Sequence, residues 1–413
     1  MNRINELINE YCPDGVEIRC LEDCCNLLDK KRKPITKASR EAGEYPYYGA
    51  NGIQDYVANY IFDGTFVLVG EDGSVITKSG TPVVTWAEGK IWVNNHAHII
   101  EEKDDVMLRY LYHYLQTIDV TSLIHGNIPK LTGGDFKALK IAVPPLEVQR
   151  EIVRVLDSFT LLTAELTAEL TARKKQYDFY RDKLLSHDEI YPMKSLAELG
   201  KWSGGKTPSM SEKSFWEQGT IPWISSKDMK VSTLEDTQDH ITEKAVKEAS
   251  MTVYPTNSIA IVTRSGILKH TFPVAYVPFE TTINQDIKML VVNEDILPRY
   301  AFHVIQGKGN DILVKTKKQG GTVDSLDFQK VLAYKVPVPS KDIQSKLVEV
   351  LDNFEAICTD LNIGLPAEIE ARQKQYEYYR DLLLTFAETG STIVTDRQTD
   401  RQTDRQTDRQ TDR

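Results

Sequence analysis

A chain of 413 residues, 41% hydrophobic and 27% charged, has room for two or more globular domains and the composition of a soluble protein. It holds no apolar run of about 18 residues, and MNRINELINEYCPDG lacks the apolar centre of a secretory signal, so a cytoplasmic location is expected rather than a membrane or an export route. Five cysteines without a CxxC pair exclude a zinc-ribbon or disulfide framework, and a net charge of −10 confines any nucleic-acid contact to local basic clusters.

Residues 1–145 carry short alternating segments such as TFVLV (Thr65–Val69) and KIWV (Lys90–Val93), separated by Gly-rich turns. This pattern predicts a strand-rich α+β domain. KKRKPITKASR, from Lys30 to Arg40, holds six basic residues and no acid. Its Lys31, Arg32, Lys33 and Lys37 are candidate phosphate contacts. Tyr47, Tyr48 and Asn51 in the YYGANG turn, Asn94 and Asn95, and His125, Asn127 and Lys130 offer aromatic, amide and basic groups suited to DNA. His96 and His98 share one face of a strand, as paired metal ligands do, but no third ligand accompanies them, so a metal-free pairing is expected.

Residues 146–187 place Leu156, Phe159, Leu162, Leu166, Leu170, Tyr177 and Tyr180 at helical spacing without a Pro or Gly. About 40 residues at 1.5 Å each predict a helix of roughly 60 Å, which needs a partner helix. Thr163–Leu166 and Thr167–Leu170 both read TAEL. Each unit adds about 6 Å, so the copy number could act as a ruler.

Residues 188–337 repeat the strand-and-turn character. Ser203, Gly205, Lys206 and Thr207 lie in a Gly-rich loop, and Trp223, Ser225, Ser226 and Lys227 come next in IPWISSK. Arg264, Asn284, Gln285, Lys317, Lys318, Gln319 and Thr322 complete the second candidate surface. GKWSGGKT, from Gly200 to Thr207, matches the P-loop spelling. Pro208 disfavours a helix at Thr207, and MKSLAEL before the loop is not an apolar strand, so a nucleotide site is not expected.

Residues 338–387 supply the partner stripe, with Leu351, Phe354, Ile357, Leu361, Tyr376 and Tyr379. This segment restates the first helical one. RKKQYDFYRDKLL from Arg173 returns 199 residues later as RQKQYEYYRDLLL from Arg372, and VPPLEVQREIVRVLDSF from Val143 returns 195 residues later as VPSKDIQSKLVEVLDNF from Val338. Gly126 and Leu131 align with Gly321 and Leu326 at the same 195-residue offset. Two similar helical copies around two unlike blocks predict an α+β protein with a pseudo-two-fold internal repeat and two long antiparallel helices. Residues 388–413 are expected to be a disordered tail, ending in tandem TDRQ over Thr395–Arg413, which has no apolar residue to order it. TDRQ can be spelled by ACAG read three times, and slippage of such a tract would shift the frame, a route to phase variation.

These features together resemble the specificity subunit of a type I restriction–modification system, over about residues 10–387. The resemblance rests on Cys12-Pro-Asp-Gly-Val16, Gly204-Gly-Lys-Thr-Pro-Ser209, Gly219-Thr-Ile-Pro-Trp-Ile-Ser-Ser-Lys-Asp228, the doubled QY-aromatic-YRD endings and the TAEL pair. It implies that 1–145 and 188–337 are target recognition domains, each reading half of an asymmetric bipartite DNA sequence. It implies that 146–187 and 338–387 form a coiled-coil spacer docking two methyltransferase subunits, and through them restriction subunits. It further implies no catalytic or metal site in this chain, with S-adenosylmethionine, ATP and Mg2+ used by the partners. The family pattern has GGTPS where this chain has GGKTPS, which marks Lys206 as an inserted phosphate contact. A P-loop nucleotide-binding protein and a coiled-coil scaffold without DNA affinity are the competing readings.

Overall fold

The computed structural model describes residues 2–73, 75–186, 190–318, 323–360 and 362–389. Two compact units emerge: Met1–Glu165 with the segment from Ile369, and Leu166–Glu368. Each takes one variable block and part of both helical copies.

The first unit is built on a six-stranded sheet in the spatial order Asn26–Leu27, Ala97–Glu101, Phe62–Gly70, Val84–Val93, Ala42–Gly49 and Gly52–Val57. Side chains alternate across a strand, so Val67 and Val69 enter one core with Leu111 and Tyr114. Phe66 and Leu68 enter a second with Tyr48 and Ile91. Glu17–Cys20 pairs antiparallel with Lys140–Val143 and joins the two ends of the block.

The second unit carries a four-stranded sheet ordered Gly200–Gly204, Ile287–Val292, Ser258–Val262 and Val274–Val277. Beside it is a three-stranded sheet ordered Asp239–Ile241, Ile221–Ile224 and Thr282–Ile283. Met193–Ser195 pairs antiparallel with Lys335–Pro337, closing this block as the first is closed. Architecture is thus α+β with an internal repeat, as the sequence predicts.

Leu146–Leu184 is one unbroken helix of 39 residues. The second copy is two helices, Lys341–Thr359 and Leu365–Thr389. A Cβ at Gly364 would lie 2.6 Å from the carbonyl oxygens of Ala356 and Asp360, so only glycine permits the close turn between them. Pro366 lies in the first turn of the last helix, where its missing N–H costs nothing.

In the first unit the early part of the central helix (Ile152, Leu156, Phe159) shares a core with the late part of the final helix (Tyr376, Tyr379, Leu383). In the second, the late part of the central helix (Leu170, Tyr177, Leu184) shares a core with Leu347, Leu351, Phe354 and Cys358. Start against end is antiparallel pairing. Two stripe positions depart from expectation. Ile357 is 45% exposed and Tyr180 40% exposed. On the 341–359 helix, Leu351, Glu355 and Cys358 form the buried face, which leaves Ile357 rotated by about a third of a turn. Leu162, Leu166 and Leu170 are half-buried, and Leu361 lies outside the described residues.

A polar network repeats inside the two units. Asp157 accepts from Arg109 Nε at 2.7 Å and pairs with His113 Nε2 at 2.9 Å, while His113 Nδ1 meets the Tyr376 hydroxyl at 2.8 Å. Asp352 accepts from Arg299 Nη2 at 2.6 Å and pairs with His303 Nε2 at 2.6 Å, while His303 Nδ1 meets the Tyr177 hydroxyl at 3.2 Å. Burial pushes both tyrosine phenols up. The swap is informative: the tyrosine of the second copy serves the first block, and that of the first copy serves the second. The paired glutamines repeat too, with Gln149 bonding Met107 N and the carbonyls of Asp105 and Pro144, and Gln344 bonding Leu297 N and those of Asp295 and Pro339.

Candidate nucleic-acid interface

Each unit brings a parallel strand pair to its candidate surface, and the two pairs share several equivalent hydrogen bonds. In the first, Tyr47 and Tyr48 lie opposite Trp92 and Val93. In the second, Trp223 and Ile224 lie opposite Thr282 and Ile283. The next residue is an asparagine in both. Asn94 N donates to Tyr48 O, and its Oδ1 accepts from His96 N at 2.8 Å. Asn284 N donates to Ile224 O, and its Oδ1 accepts from Asp286 N at 3.0 Å. An asparagine bonding the backbone two residues on makes a tight turn at the strand end.

A lysine loop covers each pair. Lys33 N donates to Val93 O at 3.3 Å, and Lys206 N donates to Ile283 O at 3.0 Å. Gly205 allows the second approach, since a Cβ there would sit 1.8 Å from Ile283 O. The aromatic residues hold these loops from beneath: the Tyr47 hydroxyl bonds Ile35 N at 3.0 Å, and Trp223 Nε1 donates to Lys206 O at 3.1 Å. Lys33 and Lys206 are both exposed, and neither makes an ion pair among the described residues.

The hairpin segments fall at equivalent places as well. Leu131 N donates to Glu71 O and Leu326 N to Thr263 O, both at 2.9 Å. This places Lys130 beside Asp72, and Ser325 beside Arg264.

The candidate residues divide by exposure. Lys31, Lys33, Lys37, Asn51, Asn95, His125, Asn127, Lys130, Lys206, Thr207, Lys227, Arg264, Gln285 and Lys318 are exposed; Ser203, Gly205, Ser226 and Lys317 are half-buried. Tyr47, Tyr48, Asn94, Trp223, Ser225 and Asn284 are buried, none more than 7% exposed, so their side chains support the surface and do not form it. Ser225, for example, donates through N and Oγ to Asp228 Oδ2 at 2.8 and 2.9 Å. Arg32 is committed inward, donating to Glu71 and to Ala97 O at 2.6 Å each. Several exposed cations are also paired: Lys130 with Glu71 at 3.3 Å, Lys227 with Asp239 at 2.5 Å and the half-buried Lys317 with Asp324 at 3.0 Å. Gln319 and Thr322 lie outside the described residues.

The two strand histidines separate. His96 pairs with Asp72 at the surface, whereas His98 is buried with Nδ1 2.6 Å from Asp29 and Nε2 3.2 Å from Leu131 O. Asp29, Glu71 and His98 gather as metal ligands would, but the Arg32 guanidinium lies 2.6 Å from Glu71 and 3.4 Å from Asp29, supplying the positive charge there itself. No helix begins at Lys206-Thr207; the strand Gly200–Gly204 leads into chain without regular secondary structure, so phosphate has no helix N-terminus to meet. Sequence reading missed the Arg–His–Asp–Tyr network. Its signal was available: RYLYH at Arg109–His113 and RYAFH at Arg299–His303 stand 190 residues apart.

The family model for the type I restriction modification DNA specificity domain matches this chain twice, over residues 13–173 and 189–371. The EcoR124I/EcoR124II type I specificity subunit of Escherichia coli is 46% identical over 293 residues, covering 69% of this chain and 72% of its own. A Haemophilus influenzae protein provisionally named a type I restriction enzyme specificity subunit is 34% identical over 386 residues, covering 90% and 96%. Among solved structures, the type I S subunit from M. genitalium shares the fold with a TM-score of 0.50 at 17% identity, covering 91% of this chain and 96% of its own. A chain from a study of type I complex assembly and conformational transition does so with a TM-score of 0.53 at 13% identity, covering 92% and 98%. No described helix is long and apolar enough to cross a membrane. With its two matched segments falling on the two repeated halves, the chain belongs to the type I restriction–modification DNA specificity subunits, the non-catalytic members of those complexes.

Proposed function

We propose that each unit's loop surface reads one half of an asymmetric bipartite DNA target, with 1–145 and 188–337 as the target recognition domains. The carrying observation is the shared loop frame: equivalent backbone bonds hold Lys33 and Lys206, Asn94 and Asn284, and Leu131 and Leu326, while the exposed residues around them differ. A common frame positions two heads alike on a duplex; unlike side chains give each its own sequence. The helical copies 146–187 and 338–387 set the separation of the half-sites and dock two methyltransferase subunits. Those subunits methylate adenine with S-adenosylmethionine, and restriction subunits join through them with ATP and Mg2+, in the cytoplasm.

Mapping methyladenine in cells with this chain and its methyltransferase subunit tests the reading. A split, non-palindromic motif is expected, together with DNA binding whose log affinity falls linearly with log salt by roughly 0.9 per neutralised phosphate. A palindromic or undivided motif overturns it.

A further inference from the structure

One pair of equivalent positions carries opposite charge in the two units. Glu71 N donates to His96 O and Thr263 N to Asp286 O, both at 2.8 Å, and the next residues along the chain are Asp72 and Arg264. In the first unit the acid is Asp72 and its partner across the turn is His96. In the second the cation is Arg264 and its partner is Asp286, at 4.0 Å. Both pairs sit beside the asparagine turn and the hairpin. The Arg264 side chain is 63% exposed; in the first unit the Asp72 side chain is 23% exposed and that of His96 46%. The His96 contact is made by Asp72 Oδ1. Lys33 and Lys206, on the loops over the two strand pairs, by contrast keep the same sign in both units.

A backbone contact is needed equally by both heads, because phosphates carry no sequence. A base contact must differ between heads that read different sequences. The constant lysines and the inverted pairs fit these two roles. We infer that Lys33 and Lys206 are equivalent phosphate anchors, that Arg264 reads a guanine in one half-site, and that Asp72 reads the amino group of a cytosine at the matching place in the other. Guanine presents two acceptors that fit a guanidinium fork, and cytosine presents a donor that fits a carboxylate. His96 and Asp286 hold the reading groups in position. This assignment rests on the DNA reading proposed above.

The full chain, with its methyltransferase subunits, is expressed in a host free of other adenine methylation, and methyladenine is mapped across the genome. Arg264→Gln should relax one base position of one half-site, with discrimination there falling roughly 5- to 150-fold, and leave the other half-site unchanged. Asp72→Asn should do the same in the other half-site only. Placing the second unit's pair in the first, Asp72→Arg with His96→Asp, should change the base accepted there to guanine. Lys33→Ala and Lys206→Ala should lower occupancy at an unchanged motif. Unaltered motifs in both Arg264→Gln and Asp72→Asn overturn the inference, as does one substitution relaxing both halves, or uniform loss of methylation by an assembled complex. If Arg264→Gln prevents assembly, Arg264→Lys decides, because it keeps the charge but not the fork and should relax the same position. A wild-type map without a split motif defeats the proposed function itself; a split motif indifferent to these residues defeats only this inference.

Discussion

Asp157 and Asp352 show what a single carboxylate does in this fold. Burial pushes each carboxyl up, but the histidine and arginine hydrogen bonds outweigh it and hold both below the usual carboxylate range. A depressed carboxyl stabilises the fold above its unfolded value of about 3.9 and loses that contribution as pH falls through the folded value. Asp352→Ala leaves His303 Nε2 without its acceptor and removes one of the two carboxylates on Arg299, which keeps Glu355 at 2.6 Å; because the Asp352 side chain is 37% exposed, water moderates the cost. We expect a loss of about 2 kcal/mol, or a fall in Tm of roughly 4–8 °C, by thermal denaturation of the full chain. His113 adds an earlier pH dependence. Burial holds its imidazole below the ordinary value, although Asp157 pulls the other way. A histidine kept neutral stabilises above about pH 6.5 and loses that contribution as pH falls through the depressed value. Urea midpoints should therefore decline between pH 7 and 5 in wild type, and decline less in His113→Gln. Equal slopes in the two proteins count against this.

The helices show how elements divide the work of the repeat. Copy ends carry the buried tyrosines and leucines, whereas the TAEL segment between them offers only half-buried Leu166 and Leu170. A four-residue insertion there keeps the helix continuous, adds about 6 Å and rotates the C-terminal remainder of the helix by roughly 40°. A third TAEL unit should therefore lengthen the unread gap of the target by about one or two base pairs without altering either half-site. Methylation mapping of the three-copy variant checks this, and an unchanged gap rules out the ruler. The helical copies were legible in the sequence because their apolar spacing is strict and their endings nearly identical. The stripe was less legible at Ile357, since Val350, Leu351, Phe354, Ile357 and Cys358 are all apolar and spacing alone does not rank them. Packing chose Leu351 and Cys358.

For the whole molecule, two features lie beyond the paired units. The acidic total of −10 coexists with exposed lysines at both candidate surfaces, so the sum does not exclude a locally basic DNA-facing surface. The TDRQ tail falls outside the described residues, and its lesson is genetic. Sequencing the gene should show an uninterrupted ACAG tract. Scattered synonymous codons would remove the case for slippage, because only an exact nucleotide repeat mispairs in register.

The sequence by itself determined the duplication, the helical period and the turn-rich blocks, because spacing and turn chemistry are local and survive without tertiary contacts. It also pointed to the loops around Lys33, Lys206 and Arg264. Tertiary structure alone decided which aromatic and amide side chains turn inward, as Tyr47, Trp223 and Asn284 do, because burial depends on what another segment brings over them. It alone crossed each tyrosine to the other block's histidine. And it alone matched Asp72 with Arg264: insertions between the halves change the sequence offset, while the hydrogen-bond register of paired strands keeps equivalent residues in place.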